Sequence, residues 1–253
     1  MSFCAEPTHH PAPEAVRKKS YLMPDLPDIA RTEIAIVDLT NAFRRDEKLG
    51  IVKSNPDLNT TARLFAEYLA KSGRFAHEAD GRQPSDRAKA SGYKFCMIAE
   101  NLALNLDSRG FTSTGLAGQA MEGWKNSPGH RKNMVQPHVT EIGVGVARAP
   151  DRDPKFISVQ LFGRPDSLKF QFKIENKAGV SVTYSAFGAK HTLEPRVIAT
   201  HTGCQPGEIV FERAGNWLTG AKLESQFQAR DGAMFTLTTG PDKRIQIGME
   251  TKK

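Results

Sequence analysis

Long apolar runs and cysteines are both scarce in this chain of 253 residues. No stretch approaches the roughly 18 consecutive apolar residues that a membrane-spanning helix requires, so we expect no transmembrane segment. The opening residues lack the charged start and apolar stretch of a signal peptide, and none is expected in this sequence. Only three cysteines occur, Cys4, Cys96 and Cys204, and no two of them form a CxxC pair. An odd number leaves at least one without an intramolecular partner.

Clustered positive charge is also scarce, although the formal net charge is +7. Such a charge favours anionic partners in general. Basic residues cluster only at Arg17–Lys19 and His130–Lys132, without the interleaved aromatic residues that stack on single-stranded bases. We therefore expect no nucleic-acid partner. A composition of 39% hydrophobic and 25% charged residues is typical of a globular protein with one or two domains.

The chain divides into three regions by the texture of its sequence. Residues 1–28 are rich in proline, histidine and charge and are predicted to be a leader or disordered arm. Residues 29–165 combine helical patterns with a short hairpin. Residues 166–253 alternate like strands and carry no helical signal. The predicted fold class is α+β, with a small all-β accessory domain, a sandwich or barrel, at the C-terminal end.

Four helices are predicted in the middle region. The first has an apolar face and stops near Gly50, and the second is capped by Asn59 or Thr60. The third and fourth cover "PSDRAKASG" and "TGLAGQAMEGWKNS". The inward residues expected for the first two helices share an apolar character and helical spacing; they are Ile34, Ile36, Val37, Leu39 and Phe43, then Leu64, Phe65, Tyr68 and Leu69.

Strand patterns take over after the fourth helix. The segments "EIGVGVAR" and "KFISVQLFG" flank a turn-like "APDRDP" and predict an antiparallel hairpin. After Pro165, six short alternating segments are separated by Gly, Pro and Asp turns. They are "LKFQFKIEN", "VSVTYSAFG", "EIVFER", "AKLESQFQ", "AMFTLTT" and "KRIQIGME". We expect about six strands in this unit.

Five segments of the middle region occur in a distinctive order: "FAHEADGRQPSDRAKASGY", "AENLAL", "GWKNSPGHRKNM", "EIGVGVA" and "VQLFG". Together they resemble the CAP superfamily of cysteine-rich secretory, venom-allergen and plant pathogenesis-related proteins, and in particular its bacterial branch. The resemblance covers roughly residues 30–164. It implies a three-layer α–β–α sandwich, secretion to the extracellular space or periplasm, and a central cavity with histidine and glutamate at its floor.

The resemblance also implies a set of site residues. His77 matches the first histidine of the family, Glu100 the glutamate of its GENL motif, and His130 the second histidine. Many eukaryotic members carry a second glutamate where this chain has Ser127, as in many bacterial relatives. The implied site is therefore a triad, and Ala99 replaces the glycine that precedes the glutamate.

Two interpretations of this triad stay open at the level of sequence. Two imidazoles and a carboxylate suffice to bind zinc or another divalent cation with one open position, with His77 and His130 as ligands and Glu100 as ligand or base. A buried cluster of the same groups can instead be a hydrogen-bonded network that holds three segments together. Position 81 is Gly, so His77 does not begin an HExxH helix.

Further residues line or support the predicted cavity. Ser127 beside His130 permits a Ser–His–acid arrangement with Glu100, but no nucleophile elbow accompanies it. Arg87 and Arg131 are expected to pair with an acidic group such as Glu100, Glu122 or Asp86 rather than with a ligand. Asn101 is expected to support a bend after Glu100, and Trp124 and Phe75 to lie in the core.

Cysteine and histidine leave a second metal hypothesis in the C-terminal unit. His191, His201 and Cys204 include two potential ligands three residues apart in "HTGC". No fourth partner is evident, so a loop with a free or distantly paired cysteine is preferred. Cys96, beside "MIAENL", is expected to be a buried small hydrophobic residue.

The sequence therefore favours a secreted CAP-domain protein without enzymatic activity. Its cavity around His77, Glu100 and His130 would hold a small apolar or lipid-like ligand, or bind a component of the cell envelope. The alternatives are a metal-assisted hydrolase that uses the same cluster, and a purely structural role for the triad.

Overall fold

The structure is a computed structural model that describes residues 26–213, 222–242 and 244–251. The predicted N-terminal arm lies almost wholly outside these residues, and the proposed domain limits stay a prediction. Helices in the first part are α1 (Ile29–Asp46), α2 (Pro56–Ser72), α3 (Pro84–Ala90), α4 (Ser113–Asn126) and α5 (Pro128–Met134). Within the described residues, no helix has both the length and the apolar character needed to cross a bilayer.

A four-stranded sheet lies between these helices. Its strands are β1 (Lys53–Ser54), β2 (Phe95–Leu106), β3 (Glu141–Arg148) and β4 (Lys155–Pro165), in the order β1-β3-β4-β2. Strand β4 is antiparallel to both β3 and β2, so the predicted hairpin of β3 and β4 is confirmed. The two-residue β1 pairs in parallel with β3.

Apolar side chains cover both faces of this sheet. Residues of α1 and α4 pack on one face around Trp124, Ile36 and Phe162. Residues of α2 and α3 pack on the other face around Phe65, Leu69 and Leu161. Because strand residues alternate between faces, β4 supplies both cores. The three-layer α–β–α arrangement is thus confirmed.

The first two helices begin at side-chain caps. The Asp28 carboxylate accepts from the backbone N–H of Arg31, and the Asn55 side chain accepts from the first turn of α2. The predicted caps Asn59 and Thr60 were wrong. The observed cap is Asn55, four residues before Asn59, because Pro56 fits the first position of α2.

Several residues predicted to face inward do not. Ile34 and Leu39 of α1 and Leu64 and Tyr68 of α2 are exposed, as is Phe75. The buried face of each helix therefore contains fewer apolar residues than the sequence pattern predicted. Polar side chains that are hydrogen-bonded occupy some of the buried positions instead. In α1 the buried positions are Thr32, Glu33, Ile36, Thr40, Phe43 and Arg44.

In this part of the chain the sequence analysis missed strands β1 and β2 and helix α5. Strand β2 runs for 12 residues through the segment where a bend was expected, so no bend follows Glu100. Helix α5 begins directly after Ser127, with Pro128 at its first position. The Ser-Pro-Gly segment therefore ends one helix and starts the next, because proline is well suited to a first helical turn.

The C-terminal part is a β-domain. After a 3₁₀ turn at Asp166–Leu168, the described residues of this part form eight strands in two sheets. One has the order β10-β9-β6-β7 and the other β12-β11-β5-β8. The strands are β5 (Phe170–Asn176), β6 (Val182–Ala186), β7 (Ala189–Leu193), β8 (Ile198–Gly203), β9 (Glu208–Arg213), β10 (Lys222–Gln228), β11 (Ala233–Thr239) and β12 (Ile245–Thr251).

Both sheets contribute to one apolar core that includes Phe172, Phe211 and Phe235. Of the two forms predicted for this unit, the sandwich is therefore the one observed. Strands β7 and β8 were missed. Their residues alternate little in hydrophobicity and their exposed positions predominate, as expected for strands at the outer edge of each sheet.

A disulfide joins the two parts of the chain. Cys96 of β2 pairs with Cys204, which follows β8, with 5.6 Å between their Cα atoms. The expectation that Cys96 is a buried small hydrophobic residue was wrong, since its sulfur is oxidised and its side chain is partly exposed. The pairing was not deducible from sequence, because the two cysteines are 108 residues apart.

Replacing Cys204 by Ser should lower the free energy of unfolding by about 2–4 kcal/mol, because the cross-link restricts a long loop in the unfolded chain. Thermal unfolding without reductant measures this change, and reductant added to the unmodified protein should reproduce it. Cys4→Ser is the matched control and should change neither result. A non-reducing peptide map that links Cys4 to either partner would contradict the assignment.

Candidate functional site

The three residues of the predicted triad lie on different segments that meet at the edge strand β2. Glu100 lies in the middle of β2, His77 in the turn between α2 and α3, and His130 in the first turn of α5. Because β2 ends the sheet, groups from both helical layers can meet there. The fold therefore brings residues 53 positions apart in the sequence to one edge.

Glu100 is the buried centre of the cluster, with its side chain 1% exposed. Its carboxylate accepts hydrogen bonds from Arg87 Nη2 at 2.8 and 3.1 Å and is 2.8 Å from His77 Nδ1. A buried carboxylate needs such partners, because burial without them is strongly unfavourable. Of the acidic partners suggested for Arg87, Glu100 is the one observed.

Arg87 holds more of the cluster than its bond to Glu100. Its Nη1 donates to Asp80 Oδ1 and to the carbonyl oxygen of Arg82, both at 2.8 Å, and its Nη2 also donates to the carbonyl oxygen of His77 at 3.0 Å. The guanidinium carbon lies 3.4 Å from the centre of the Phe65 ring. Arg87 thus fixes the turn that carries His77 against α2 and β2.

His77 is oriented by the carboxylate. A carboxylate accepts hydrogen bonds, so Nδ1 carries the proton and Nε2 is left for another partner. The hydrogen bond from His77 to Glu100 is the main cause that raises the pKa of His77, against a smaller opposing effect of burial. The imidazole is half-exposed. It presents a defined tautomer to the surface.

His130 is held through its backbone rather than its ring. Asn101 Nδ2 donates to the carbonyl oxygen of His130 at 3.1 Å. Asn133 Nδ2 donates to the Glu100 carbonyl oxygen at 3.0 Å and to Asn101 Oδ1 at 2.9 Å. Burial, and then the charge of His77, lower the pKa of His130. The protonated imidazole is therefore favoured at His77, and the neutral imidazole at His130.

The hydrogen bonds of the side-chain amides continue from Asn101 across the sheet to α1. Asn101 also donates to Gln160 Oε1 at 2.9 Å, and Gln160 Nε2 donates to Thr40 Oγ1 of α1 at 2.8 Å. The sequence analysis missed Gln160, Thr40 and Asn133. Asn133 had a signal, since it follows His130 by three residues within the same motif. Asn101 makes these contacts from inside strand β2, and its role in supporting a site stays a prediction.

The remaining predicted residues lie apart from the carboxylate. Ser127 joins α4 to α5, and its side chain makes no capping hydrogen bond. Arg131 pairs with Glu47 at 2.7 Å, a partner that the sequence did not suggest. Trp124 is buried as predicted, and its Nε1 donates to the Leu102 carbonyl oxygen at 2.9 Å.

His77, His130 and Glu100 carry nitrogen and oxygen atoms of the kinds that bind zinc. Catalytic zinc sites usually combine three protein ligands with an open position. In the part of the chain that the structure describes, no three His, Cys, Asp or Glu side chains are grouped to hold one ion. Glu100, the third ligand that the sequence suggested, is already bonded to Arg87 and His77. As arranged, the residues do not fit a three-ligand site, and zinc binding by His77 and His130 stays a prediction.

The second metal hypothesis loses one ligand. Cys204 is committed to its disulfide, so its sulfur is not free to bind a metal. His201 Nε2 lies 2.7 Å from the hydroxyl of Tyr184, and the His191 and His201 rings are 4.9 Å apart. The three residues named from the "HTGC" motif therefore form no common site.

The α–β–α layers and the clustered histidines and glutamate at a sheet edge define the class of protein. Residues 37–162 match the family model described as "Cysteine-rich secretory protein family", known as CAP. This part of the chain belongs to this family. The match confirms the resemblance drawn from the five ordered segments.

Two relatives from Bacillus subtilis (strain 168) are similar to this chain. The "Uncharacterized protein YkwD" is 27% identical over 135 residues, 53% of this chain and 49% of its own length. The "Uncharacterized membrane protein YlbC" is 34% identical over 120 residues, 46% of this chain and 32% of its own. The chain thus spans half or less of these relatives.

Among solved structures, an extracellular protein containing a SCP domain from Bacillus anthracis str. Ames is 26% identical. The similarity covers 54% of this chain and 41% of that one, with a TM-score of 0.44. The family match makes residues 37–162 a CAP domain, and the chain has relatives in bacteria.

Replacing Arg87 by Met should lower the free energy of unfolding by about 3–5 kcal/mol, because Glu100 and Asp80 are both buried and each would lose the charge-assisted hydrogen bonds of the buried guanidinium. Arg82→Met is the matched control. Its side chain is 55% exposed, so the loss should stay below about 1 kcal/mol. Chemical denaturation of both variants measures the difference, and equal losses would show that Arg87 does not hold the cluster.

The stability supplied by His77 should depend on pH. Its pKa is raised on folding, so the contribution is fully present below the ordinary pKa near 6.5 and is lost as pH rises through the folded value. We expect His77→Gln to destabilise the protein at pH 5.5 by less than about 1 kcal/mol, since the ring is half-exposed, and to have a smaller effect at pH 8.5. Thermal unfolding at both values checks the sign, and a larger effect at pH 8.5 would contradict it.

Proposed function

We propose that this protein is a secreted binding protein without enzymatic activity, whose CAP domain holds an apolar or lipid-like ligand. The observation that carries the proposal is the state of Glu100. Its carboxylate is buried and bonded to Arg87 and His77. General-base catalysis or metal binding by Glu100 would require these bonds to be broken, at the cost of separating two buried groups, Glu100 and Arg87, that are paired.

The hydrolase alternative is weaker for the same reason. A general base must lie within hydrogen-bond reach of the proton it removes and be free to accept it. Burial lowers the pKa of His130 and so favours its neutral form. Among the residues that the structure describes, however, no side chain hydrogen-bonds to its ring, and the contact recorded for His130 is made by its carbonyl oxygen. A base without an orienting partner is a poor basis for nucleophilic catalysis.

An apolar groove supports the choice of ligand, and it lies away from the predicted cavity. Residues of α1, α2 and β3 enclose about 250 Å³, with Ile34, Val37 and Val144 among its walls. Ile34 is 62% exposed although it is strongly hydrophobic. Covering such exposed groups with an apolar chain removes apolar surface from water and therefore favours binding. The ligand site we propose is therefore this groove rather than the space around His77.

Charged groups at the same groove favour an amphipathic ligand. Arg63 pairs with Glu33 at 2.6 Å, but Arg63 is half-exposed whereas Glu33 is almost fully buried. Glu33 also accepts from the backbone N–H of Val146. Arg63 thus retains donors at the surface for a carboxylate beside the apolar walls. Asp38 is an exposed carboxylate of the same lining, so the ligand carboxylate has to lie on the Arg63 side of the groove. A fatty acid has this combination of groups.

Two observations support secretion. The Cys96–Cys204 disulfide is of the kind that persists in oxidising compartments. The relative from Bacillus anthracis is described as extracellular.

The β-domain has strands with one buried and one more exposed face, as in β5 and β11. Such faces suit contact with a component of the cell envelope.

The fluorescence of cis-parinaric acid, a fatty acid probe, should rise on binding to the purified protein. We expect Ile34→Glu to weaken the affinity about tenfold or more, because the new carboxylate repels the acid and removes apolar surface. Leu39→Glu is the matched control, since Leu39 is an exposed apolar residue of α1 outside the groove. It should leave binding unchanged.

His130→Ala separates the two sites. If the groove holds the fatty acid, this variant binds the probe as the unmodified protein does. Loss of binding in His130→Ala with retained thermal stability would return the ligand to the space around the histidines. Equal effects of the two glutamate substitutions would count against the groove.

A further inference from the structure

The backbone passes from the CAP domain to the β-domain through one short segment. Strand β4 ends at Pro165, the 3₁₀ turn covers Asp166–Leu168, and strand β5 begins at Phe170. The backbone N–H of Asp166 donates to the carbonyl oxygen of Lys94 at 3.0 Å, directly before β2 begins. This hydrogen bond holds the turn against the CAP domain, but it does not reach the strands of the β-domain.

The disulfide runs beside this segment as a second connection. Cys96 directly follows the residue of β2 that pairs with Pro165, and the pairing of β2 with β4 skips Cys96. A bulge of this kind changes the direction of a side chain relative to the sheet. Cys204 directly follows the residue of β8 that pairs with Phe170. The bridge therefore joins the strand next to the end of β4 to the strand next to the start of β5.

Directional contacts between the two parts are otherwise missing. As far as the structure describes them, no hydrogen bond, ion pair or aromatic contact joins residues 26–165 to residues 170–251. The apolar clusters around Trp124 and Phe65 contain only residues of the first part, and the cluster around Phe172 only residues of the second. Domains without a large apolar interface are expected to move relative to each other. A second covalent connection opposes that motion.

The bridge lies near the surface of the molecule. Cys96 and Cys204 are both partly exposed, and Cys204 begins the loop between β8 and β9. The next two residues of this loop, Gln205 and Pro206, are exposed. Reduction of a disulfide requires a thiolate to approach one of its sulfurs, so access from solvent is needed. A bridge at an exposed loop meets this requirement better than one inside either core.

We propose that the Cys96–Cys204 disulfide is a redox-sensitive tether that holds the β-domain in one orientation relative to the CAP domain. The reductant is a dithiol. One of its thiolates attacks a sulfur of the bridge and forms a mixed disulfide, while the other cysteine leaves and takes up a proton. The second thiol then displaces the remaining cysteine, so two electrons and two protons pass from the dithiol to the chain. Once reduced, the β-domain rotates about residues 165–169 without dividing an apolar cluster.

Amide ¹⁵N relaxation of the full chain, measured before and after addition of dithiothreitol, tests the tether. In the oxidised protein we expect one rotational correlation time for both domains, because they move as one body. After reduction the β-domain, which has fewer residues, should show a shorter correlation time than the CAP domain. Equal correlation times in the reduced protein would overturn the proposal, as would unequal values in the oxidised protein.

Replacing both Cys96 and Cys204 by Ser removes the tether without a reductant. This double variant should show the unequal correlation times of the reduced protein. Cys4→Ser is the matched control, and it should behave as the oxidised protein until dithiothreitol is added. Removing the reductant and letting the bridge re-form should restore equal correlation times in the control. A double variant with equal correlation times would show that non-covalent contacts set the orientation, which would overturn the tether.

Reduction must also act on the folded protein. Iodoacetamide added after dithiothreitol, without denaturant, should alkylate Cys96 and Cys204 while the amide resonances of both domains stay dispersed. Resistance of the bridge to dithiothreitol would overturn the proposal. Unfolding of the β-domain on reduction would do the same, because the bridge would then serve stability alone. None of these measurements involves the apolar groove, so the tether and the proposed function fail separately.

Discussion

The buried pair of Arg87 and Glu100 is the interaction on which the CAP domain of this protein depends. Neither charge is accessible to water, so each is tolerated only because the other is present and the remaining nitrogens and oxygens are hydrogen-bonded. Arg87 lies on α3, Glu100 on β2, and the shared partner His77 on the turn between α2 and α3. Satisfying one buried ion pair therefore fixes three segments and sets the tautomer of an exposed histidine.

Side chains hydrogen-bond to backbone groups at both edges of the central sheet, on β2 and on the part of β3 beyond its pairing with the short β1. On β3, backbone N–H groups of Val144 and Val146 donate to Asn59 and Glu33. On β2, backbone carbonyl oxygens accept from Trp124 and Asn133. Capping of this kind prevents pairing with another chain. It also places polar groups of the helices at both edges, where the candidate sites lie.

Local patterns in the sequence predicted what local physics controls. Proline, apolar spacing and alternation predicted α3, α4 and the hairpin of β3 and β4, and the ordered segments indicated the family. The segment of β2 was harder, because Glu100 and Asn101 interrupt its apolar residues and are tolerated in the strand only through distant partners. The exposure of Ile34 and Leu64 was likewise invisible, since both residues fit an inward face by spacing alone.

The sequence by itself indicated the α+β class and the CAP resemblance, and through that resemblance it predicted His77, Glu100 and His130 as site residues. Only the tertiary structure decided what Glu100 does, because its role follows from Arg87 being within 2.8 Å and not from its own chemistry. The same holds for Cys96 and Cys204, whose pairing requires the β-domain to bring together positions 108 residues apart. Spacing along a chain encodes local conformation, whereas the partners of a buried charge or a thiol are set by which segments the fold makes adjacent.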